Sequence, residues 1–174
     1  PPKRWAIVIG AQEYENYGRL KYASRDAKSF ADLLVNELKF RPDAIDLIID
    51  GPDSNSIPNA ETIRRKLSST LVDKRLDKGD LFIFYFAGHG VGTPNGDYLL
   101  PIDATKESAE KVGIQAKEIV AAFVKAGLKN VLIIADACRS GEKNTFGEEL
   151  VRLGRDANIV VLLGCEPGKR SYEY

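Results

Sequence analysis

Asn130-Val131-Leu132-Ile133-Ile134-Ala135-Asp136-Ala137-Cys138-Arg139-Ser140-Gly141 is a continuous apolar segment that stops abruptly at an acid, a thiol and turn residues. The apolar stretch Val131 to Ala135 is too short for a helix of ordinary length. Its branched side chains predict a strand covered on both faces, as in a parallel sheet. Cys138 is then expected just past the carboxyl end of that strand, the edge of an open α/β sheet where ligands and catalytic groups gather. A second apolar run, Leu81-Phe82-Ile83-Phe84-Tyr85-Phe86, ends the same way in Ala87-Gly88-His89-Gly90, and His89 is the single histidine of the chain. If the two strands are parallel neighbours, a thiol and an imidazole emerge on one edge. That pair is the minimum for nucleophilic catalysis by cysteine.

Working outward, Trp5 to Gly10 reads as a first buried strand, followed by a polar, aromatic loop from Ala11 to Tyr22. Ser24 is placed to cap a helix on which Ala27, Phe30, Ala31, Leu34 and Leu38 recur at helical spacing to about Lys39, putting Asp26 in its first turn. Ile45 to Ile49 is a second strand, and Asn59 caps a second helix with Ile63, Leu67 and Leu71 on one face. Gly88, Gly90, Gly92 and Gly96 predict a pliable loop after the histidine, and Tyr98 to Pro101 a short extended piece. Ala116 to Ala126 is a third helix, with Ile119 and Phe123 inward and Gly127 closing it. Glu142 to Asn158 reads as a polar linker with one helical turn near Glu149 to Leu153, before a fifth buried strand, Ile159 to Gly164. Alternating strands and helices predict a three-layer α/β/α sandwich with a mostly parallel sheet. The last strand has no closing helix after it, which leaves a sheet edge for something else to cover.

At 174 residues, 44% hydrophobic and 29% charged, the chain fits one domain that buries roughly 70% of its unfolded surface. Lysine plus arginine equal aspartate plus glutamate, 25 against 25, so neither nucleic acid nor an anionic membrane is an expected partner. Two cysteines, Cys138 and Cys165, suit free thiols in a reducing compartment and a cytoplasmic location. No apolar run approaches the ~20 residues that span a bilayer. The absence of methionine suggests a trimmed or processed piece of a longer chain.

A thiol attacks a carbonyl only as thiolate, so it needs a base, and the oxyanion that forms needs donors. His89 is the available base, and the Gly90 and Cys138 amides are natural donors. The plainer reading is that Cys138 is a small buried residue and His89 a satisfied loop histidine. Their matching placement at two strand ends favours the catalytic one.

Phe84-Tyr85-Phe86-Ala87-Gly88-His89-Gly90 resembles the histidine motif of the caspase-like cysteine peptidases, the clan of caspases, metacaspases and paracaspases. Asp136-Ala137-Cys138-Arg139-Ser140-Gly141 resembles their nucleophile motif, and Trp5 to Gly10 followed by Ser24-Arg25-Asp26-Ala27 resembles their opening. The resemblance implies the caspase-hemoglobinase fold over residues 1–174. A large-subunit-like part would cover about 1–141, a linker about 142–158, and the start of a small-subunit-like part 159–174, with the last edge strand missing from this chain. It implies a cysteine endopeptidase with Cys138 as nucleophile, His89 as general base and acid, and the Gly90 and Cys138 amides as oxyanion hole.

Within the clan, pocket charge sets specificity. Asp136 and Asp26 stand where the resemblance places acids of the branch that cuts after Arg or Lys, and in Ser171-Tyr172-Glu173 the glutamate stands where caspases carry a pocket arginine, so the expected substrate is a peptide or protein with a basic P1 residue. Each acid also has a structural reading: Asp26 at a helix N-terminus, Asp136 on loop amides, Glu173 as a solvated charge. No cofactor or metal is expected. Asp97 and Asp103 are the only acids between Val91 and Asp103, too few for a calcium site of six or more oxygens. Arg139, where many metacaspases carry histidine, leans toward paracaspase-like or bacterial members. Lys143 and Lys169-Arg170 are basic positions at which such an enzyme could cut itself. The clan continues with a further small-subunit-like segment, an expected partner of this chain. The rivals are a catalytically silent caspase-like scaffold or regulatory module, and a phosphate-binding α/β domain. The second lacks a glycine fingerprint after the first strand, where Gly10-Ala11-Gln12-Glu13 stands instead.

Overall fold

The computed structural model describes residues 2–51, 56–74, 76–139 and 145–164, with 138 and 139 by backbone alone. Five parallel strands form the body of the sheet: β1 (Arg4–Gly10), β2 (Ile45–Ile49), β3 (Leu81–Thr93), β6 (Asn130–Arg139) and β7 (Val160–Leu163). They lie in the order β2-β1-β3-β6-β7. The far end of β3 turns back through a hairpin into antiparallel β4 (Gly96–Leu99), which pairs with the two-residue β5 (Ile114–Gln115). Helices α1 (Ala23–Asn36), α2 (Ala60–Asp73), α3 (Ala109–Val112), α4 (Ala116–Lys125) and α5 (Glu148–Asp156) complete the elements, with a short 3-10 turn at Pro42–Ala44. This is the α/β sandwich that the alternation of the sequence predicts. No helix among the described residues is long and apolar enough to cross a membrane.

The side-chain alternation of β3 defines the two faces. Phe82 and Phe84 meet Phe123 of α4, with ring centroids 5.0 and 6.3 Å apart. Tyr85 points the other way and stacks on Phe30 of α1 at 4.4 Å and 17°. Ala6 to Ile9 of β1 are fully buried, as a central strand covered on both sides requires. A side chain at Gly10 would bring its Cβ within 2.5 Å of the Ala23 carbonyl, so glycine there lets α1 start directly against the end of β1.

Several expectations need correction. Ser24 does not cap α1: Tyr22 occupies the cap position, and its side chain makes no capping hydrogen bond. Ser24 is buried, and its hydroxyl lies between the Gly10 carbonyl at 3.2 Å and the Asp50 carboxylate. The helix ends at Asn36 and leaves Leu38 exposed, because Lys39 takes a left-handed conformation with φ 55°. Asn59 does cap α2, accepting from the Thr62 amide at 2.8 Å, and Gly127 has the positive φ of 71° expected after α4.

The glycine-rich run after the histidine is strand, not pliable loop, because the β6 ladder continues to Gly90 and the β4 hairpin takes over from there. The linker holds more than one helical turn. Its nine-residue α5 is anchored by Phe146 and Leu150, both in the core, and by Asp97, whose carboxylate accepts the Gly147 and Leu150 amides at 2.9 Å each. Finally, β7 is not fully buried. Val160 and Leu162 are 58% and 51% exposed, since among the described residues nothing covers them on the face that α1 covers elsewhere.

Candidate active site

Parallel register, not loop geometry, brings the two chemical residues together. His89 of β3 is the direct partner of Cys138 of β6, and Ala87 of Asp136. Side chains two apart on a strand share a face, and registered partners on neighbouring strands point the same way. Positions 85, 87 and 89 therefore lie on one face with 134, 136 and 138, the face that carries α1. Both residues sit inside regular strand, a correction to the expectation that they follow strand ends.

The imidazole is 7% exposed and held from several sides by the loop between β1 and α1. Nε2 lies 3.0 Å from the Gly18 carbonyl. A carbonyl only accepts, so this bond puts the proton of the neutral ring on Nε2 and its lone pair on Nδ1. The rings of Tyr14 and Tyr17 stand 4.6 and 5.9 Å from the imidazole, Tyr14 edge-on at 61°. The backbone amide of His89 donates to the Tyr14 hydroxyl at 2.9 Å, and that hydroxyl donates to the Leu100 carbonyl at 2.7 Å. Tyr14 and Gly18 escaped the sequence reading. The aromatic pair Tyr14 and Tyr17 was its only trace, because every residue carries a carbonyl.

Two of the three expected pocket acids act on one buried phenol. The Tyr85 phenol is 7% exposed, and its ionisation is pushed well up, first by burial and then by the charges of Asp136 and Asp26. Both carboxylates thus bear on the same phenol on the face shared with His89. Asp136 is exposed, and its Oδ1 sits where a Cβ on Gly164 would lie 2.3 Å away. Asp26 is half-exposed, with the Arg25 guanidinium 3.6 Å away in a loose surface pair. Glu173, Cys165 and the basic positions Lys143 and Lys169-Arg170 lie outside the described residues, so the third acid cannot be joined to this pair.

Gly90 is paired to Arg139 on one edge and Leu99 on the other. A Cβ there would stand 3.0 Å from both the Ala137 methyl and the Phe146 ring, which gives this glycine a packing reason of its own. Asp97 and Asp103, the acids weighed for calcium, both serve backbone amides: Asp97 those of Gly147 and Leu150, Asp103 that of Ala60 at 2.9 Å. Among the described residues no cluster of three or more His, Cys, Asp or Glu could hold a metal ion. A cleft of about 590 Å³ lined by Lys3, Arg4, Trp5, Lys39, Arg41 and Lys74 opens beside Arg4, at the other end of β1 from His89. Three of its cations are already bonded within the protein, Arg4 to the Leu38 carbonyl, Lys39 to that of Asn36 and Arg41 to Asp43.

Comparison with known proteins points to one family. The chain is 22% identical to metacaspase-9 of Arabidopsis thaliana over 163 residues, covering 86% of this chain and 48% of that protein. It is 30% identical to metacaspase-1 of the same plant over 152 residues, 80% of this chain and 40% of the relative. Metacaspase-4 matches at 27% over 89 residues, 51% of this chain and 21% of its own length. The chain therefore spans less than half the length of these relatives. The family model of the caspase domain matches residues 3–174, and on that near-complete match the chain belongs to the caspase-domain family.

Proposed function

We propose that the chain is the catalytic domain of a cysteine endopeptidase that cuts after Arg or Lys. The observation that carries this reading is the register of His89 against Cys138, on the face whose Tyr85 phenol feels the charges of both Asp136 and Asp26. Nδ1 of His89 takes the Cys138 proton, and the thiolate attacks the scissile carbonyl carbon. The oxyanion is held by the amides of Cys138 and Gly90. Collapse expels the amine, which takes the proton back from Nδ1 and leaves an acyl-enzyme. Water, deprotonated by the same nitrogen, then releases the acid and restores the thiol. The Gly18 carbonyl keeps Nδ1 as the working nitrogen and stabilises the imidazolium between steps. Asp26 and Asp136 hold the P1 guanidinium or ammonium, with Glu173 as a third acid. None of these steps calls on a metal, and calcium chelation should leave the rate unchanged. The domain works in a reducing compartment such as the cytoplasm, where both thiols stay free.

The uncovered Val160 and Leu162 face favours a second component, the rest of a small-subunit-like segment, laid over β7. The same surface supports the rival reading, a silent caspase-like module that only binds partners. Reporter peptides ending in Arg, Lys or Asp separate the two, assayed on the chain alone and on a form extended at the carboxyl end. Cleavage after Arg or Lys that Cys138→Ala abolishes upholds the proposal. Cleavage after Asp alone refutes the pocket assignment, and no cleavage by either form favours the scaffold. Intact masses of wild type and Cys138→Ala, compared after incubation, reveal whether Lys143 or Lys169-Arg170 is cut by the enzyme itself.

A further inference from the structure

The loop between β1 and α1 is polar, contributes no acid or nucleophile to the reaction, and yet is tied down at both ends and at its centre. Near its start, the buried Asp50 carboxylate accepts the Gln12 and Glu13 amides at 2.8 and 2.7 Å and meets the Ser24 hydroxyl at the start of α1. Gln12 in turn accepts the Leu20 amide on its carbonyl at 3.0 Å, closing the loop on itself. Ala11 donates to Ala87 at 2.8 Å, which fastens the loop to β3 two residues before His89. At its centre Tyr14 is 5% exposed, and its hydroxyl bridges the His89 amide and the Leu100 carbonyl while Leu100 returns a bond to the His89 carbonyl at 2.9 Å.

From these contacts we infer that Tyr14 is a positioning residue for His89, and that Asp50 holds the loop from which Tyr14 and Gly18 act on it. The inference rests on the peptidase reading for its effect on turnover, but its effect on the imidazole can be read without any substrate. The ring is held through two routes. Tyr14 fixes the backbone at position 89 and stands edge-on to the ring, and Gly18 fixes Nε2. Both belong to one loop whose register depends on Asp50. Removing the Tyr14 hydroxyl strips a partner from a buried N–H and from a buried C=O at once, and those groups will shift to find others. A shift of about 1 Å in a catalytic group costs roughly 100-fold in rate.

His89 is the sole histidine, so nitrogen-edited NMR of the protein reports one imidazole without assignment. In wild type the ring should show a single neutral tautomer protonated on Nε2. Tyr14→Phe should give a mixture of tautomers and a kcat at least 10-fold lower with KM within about 2-fold, since the residue acts on the base and not on the P1 pocket. Asp50→Asn keeps the shape and removes the charge, and should move both readouts in the same direction. It also serves where Tyr14→Phe does not fold. Thr70→Val removes a buried hydroxyl bonded to Asp46 at 2.7 Å, far from the loop, and supplies the effect of lost stability alone, with tautomer and kcat unchanged. A retained Nε2–H tautomer in both loop variants overturns the inference, as does a Thr70→Val that mixes tautomers equally. Should wild type cleave no peptide, the peptidase proposal fails while the tautomer comparison still decides the role of Tyr14.

Discussion

Replacing Gly164 by alanine tests the P1 pocket without touching either acid. The added Cβ would lie 2.3 Å from Oδ1 of Asp136, 3.1 Å from its Cγ and 3.2 Å from its Cα. Ordinary contact begins at 3.4 Å, so the carboxylate oxygen must retreat by about 1 Å, more than a charge-assisted hydrogen bond tolerates without weakening. Gly164 has no left-handed φ, so the backbone itself accepts alanine. Its amide bond to the Ala135 carbonyl at 3.0 Å can remain, and the fold should be disturbed by less than about 1 kcal/mol. A hydrogen bond to a charged group is worth about 1.5–3 kcal/mol, and the exposure of Asp136 argues for the lower end, so kcat/KM for an Arg-P1 peptide should fall roughly 10-fold. The loss should sit mainly in KM, and Asp136→Asn should exceed it. Steady-state kinetics on Arg- and Lys-P1 reporters, with a thermal melt to confirm the fold, makes the measurement. Unchanged kcat/KM in a folded Gly164→Ala, alongside a large loss in Asp136→Asn, would refute the geometric reasoning.

Two further outcomes follow from the packing and the buried charges. Phe146, 1% exposed against Gly90, should cost about 3–5 kcal/mol when truncated to alanine, measured by urea unfolding; a cost below about 1 kcal/mol would mean the linker is not anchored to the domain. Burial, then the nearby Glu149 charge, drive the Asp97 carboxyl above its ordinary 3.8 despite the amides that favour its ionised form. The folded protein therefore binds that proton more tightly than the unfolded chain, and its contribution fades as pH rises above about 4. Asp80 behaves oppositely. Burial raises it, but the Lys3 and Asp77 amides, the Trp5 indole and the Lys3 charge outweigh this and hold it low, so its contribution is lost as pH falls through the acid range. Melting temperatures should show Asp97→Asn gaining on wild type as pH rises above about 4, and Asp80→Asn gaining on wild type as pH falls below about 4. A flat difference for Asp97→Asn would show its carboxyl titrates normally.

Much of the architecture was legible because it is written in local, repetitive signals. Ile45–Ile49 and Ala116–Lys125 fall where alternation and helical spacing put them, with Asn59 and Gly127 in their capping roles. The paired motifs likewise pointed to the two central strands on which His89 and Cys138 stand in register. What failed was non-local. Four glycines read as loop, yet tertiary pairing carried them through as strand, and Phe146 lies against one of them, Gly90, where a side chain would meet its ring. Ser24 had the type and position of a cap, but a buried carboxylate 26 residues away took its hydroxyl. The carbonyl of Gly18 and the phenol of Tyr14 reach His89 across 71 and 75 residues of chain, a distance over which single-sequence patterns carry no signal.

If His89 and Cys138 act as proposed, their place opposite one another on a single rung of the central β3–β6 ladder limits how such an enzyme can be switched on. Their backbones are held at the spacing of hydrogen-bonded strands, about 4.8 Å, which cannot be widened without tearing the middle of the sheet. A dormant form must therefore keep its machinery assembled and hold activity back by other means: a blocked entrance, an unfinished specificity pocket, or a misaligned carbonyl behind the imidazole. Zymogen control would belong to the periphery, leaving the centre always armed.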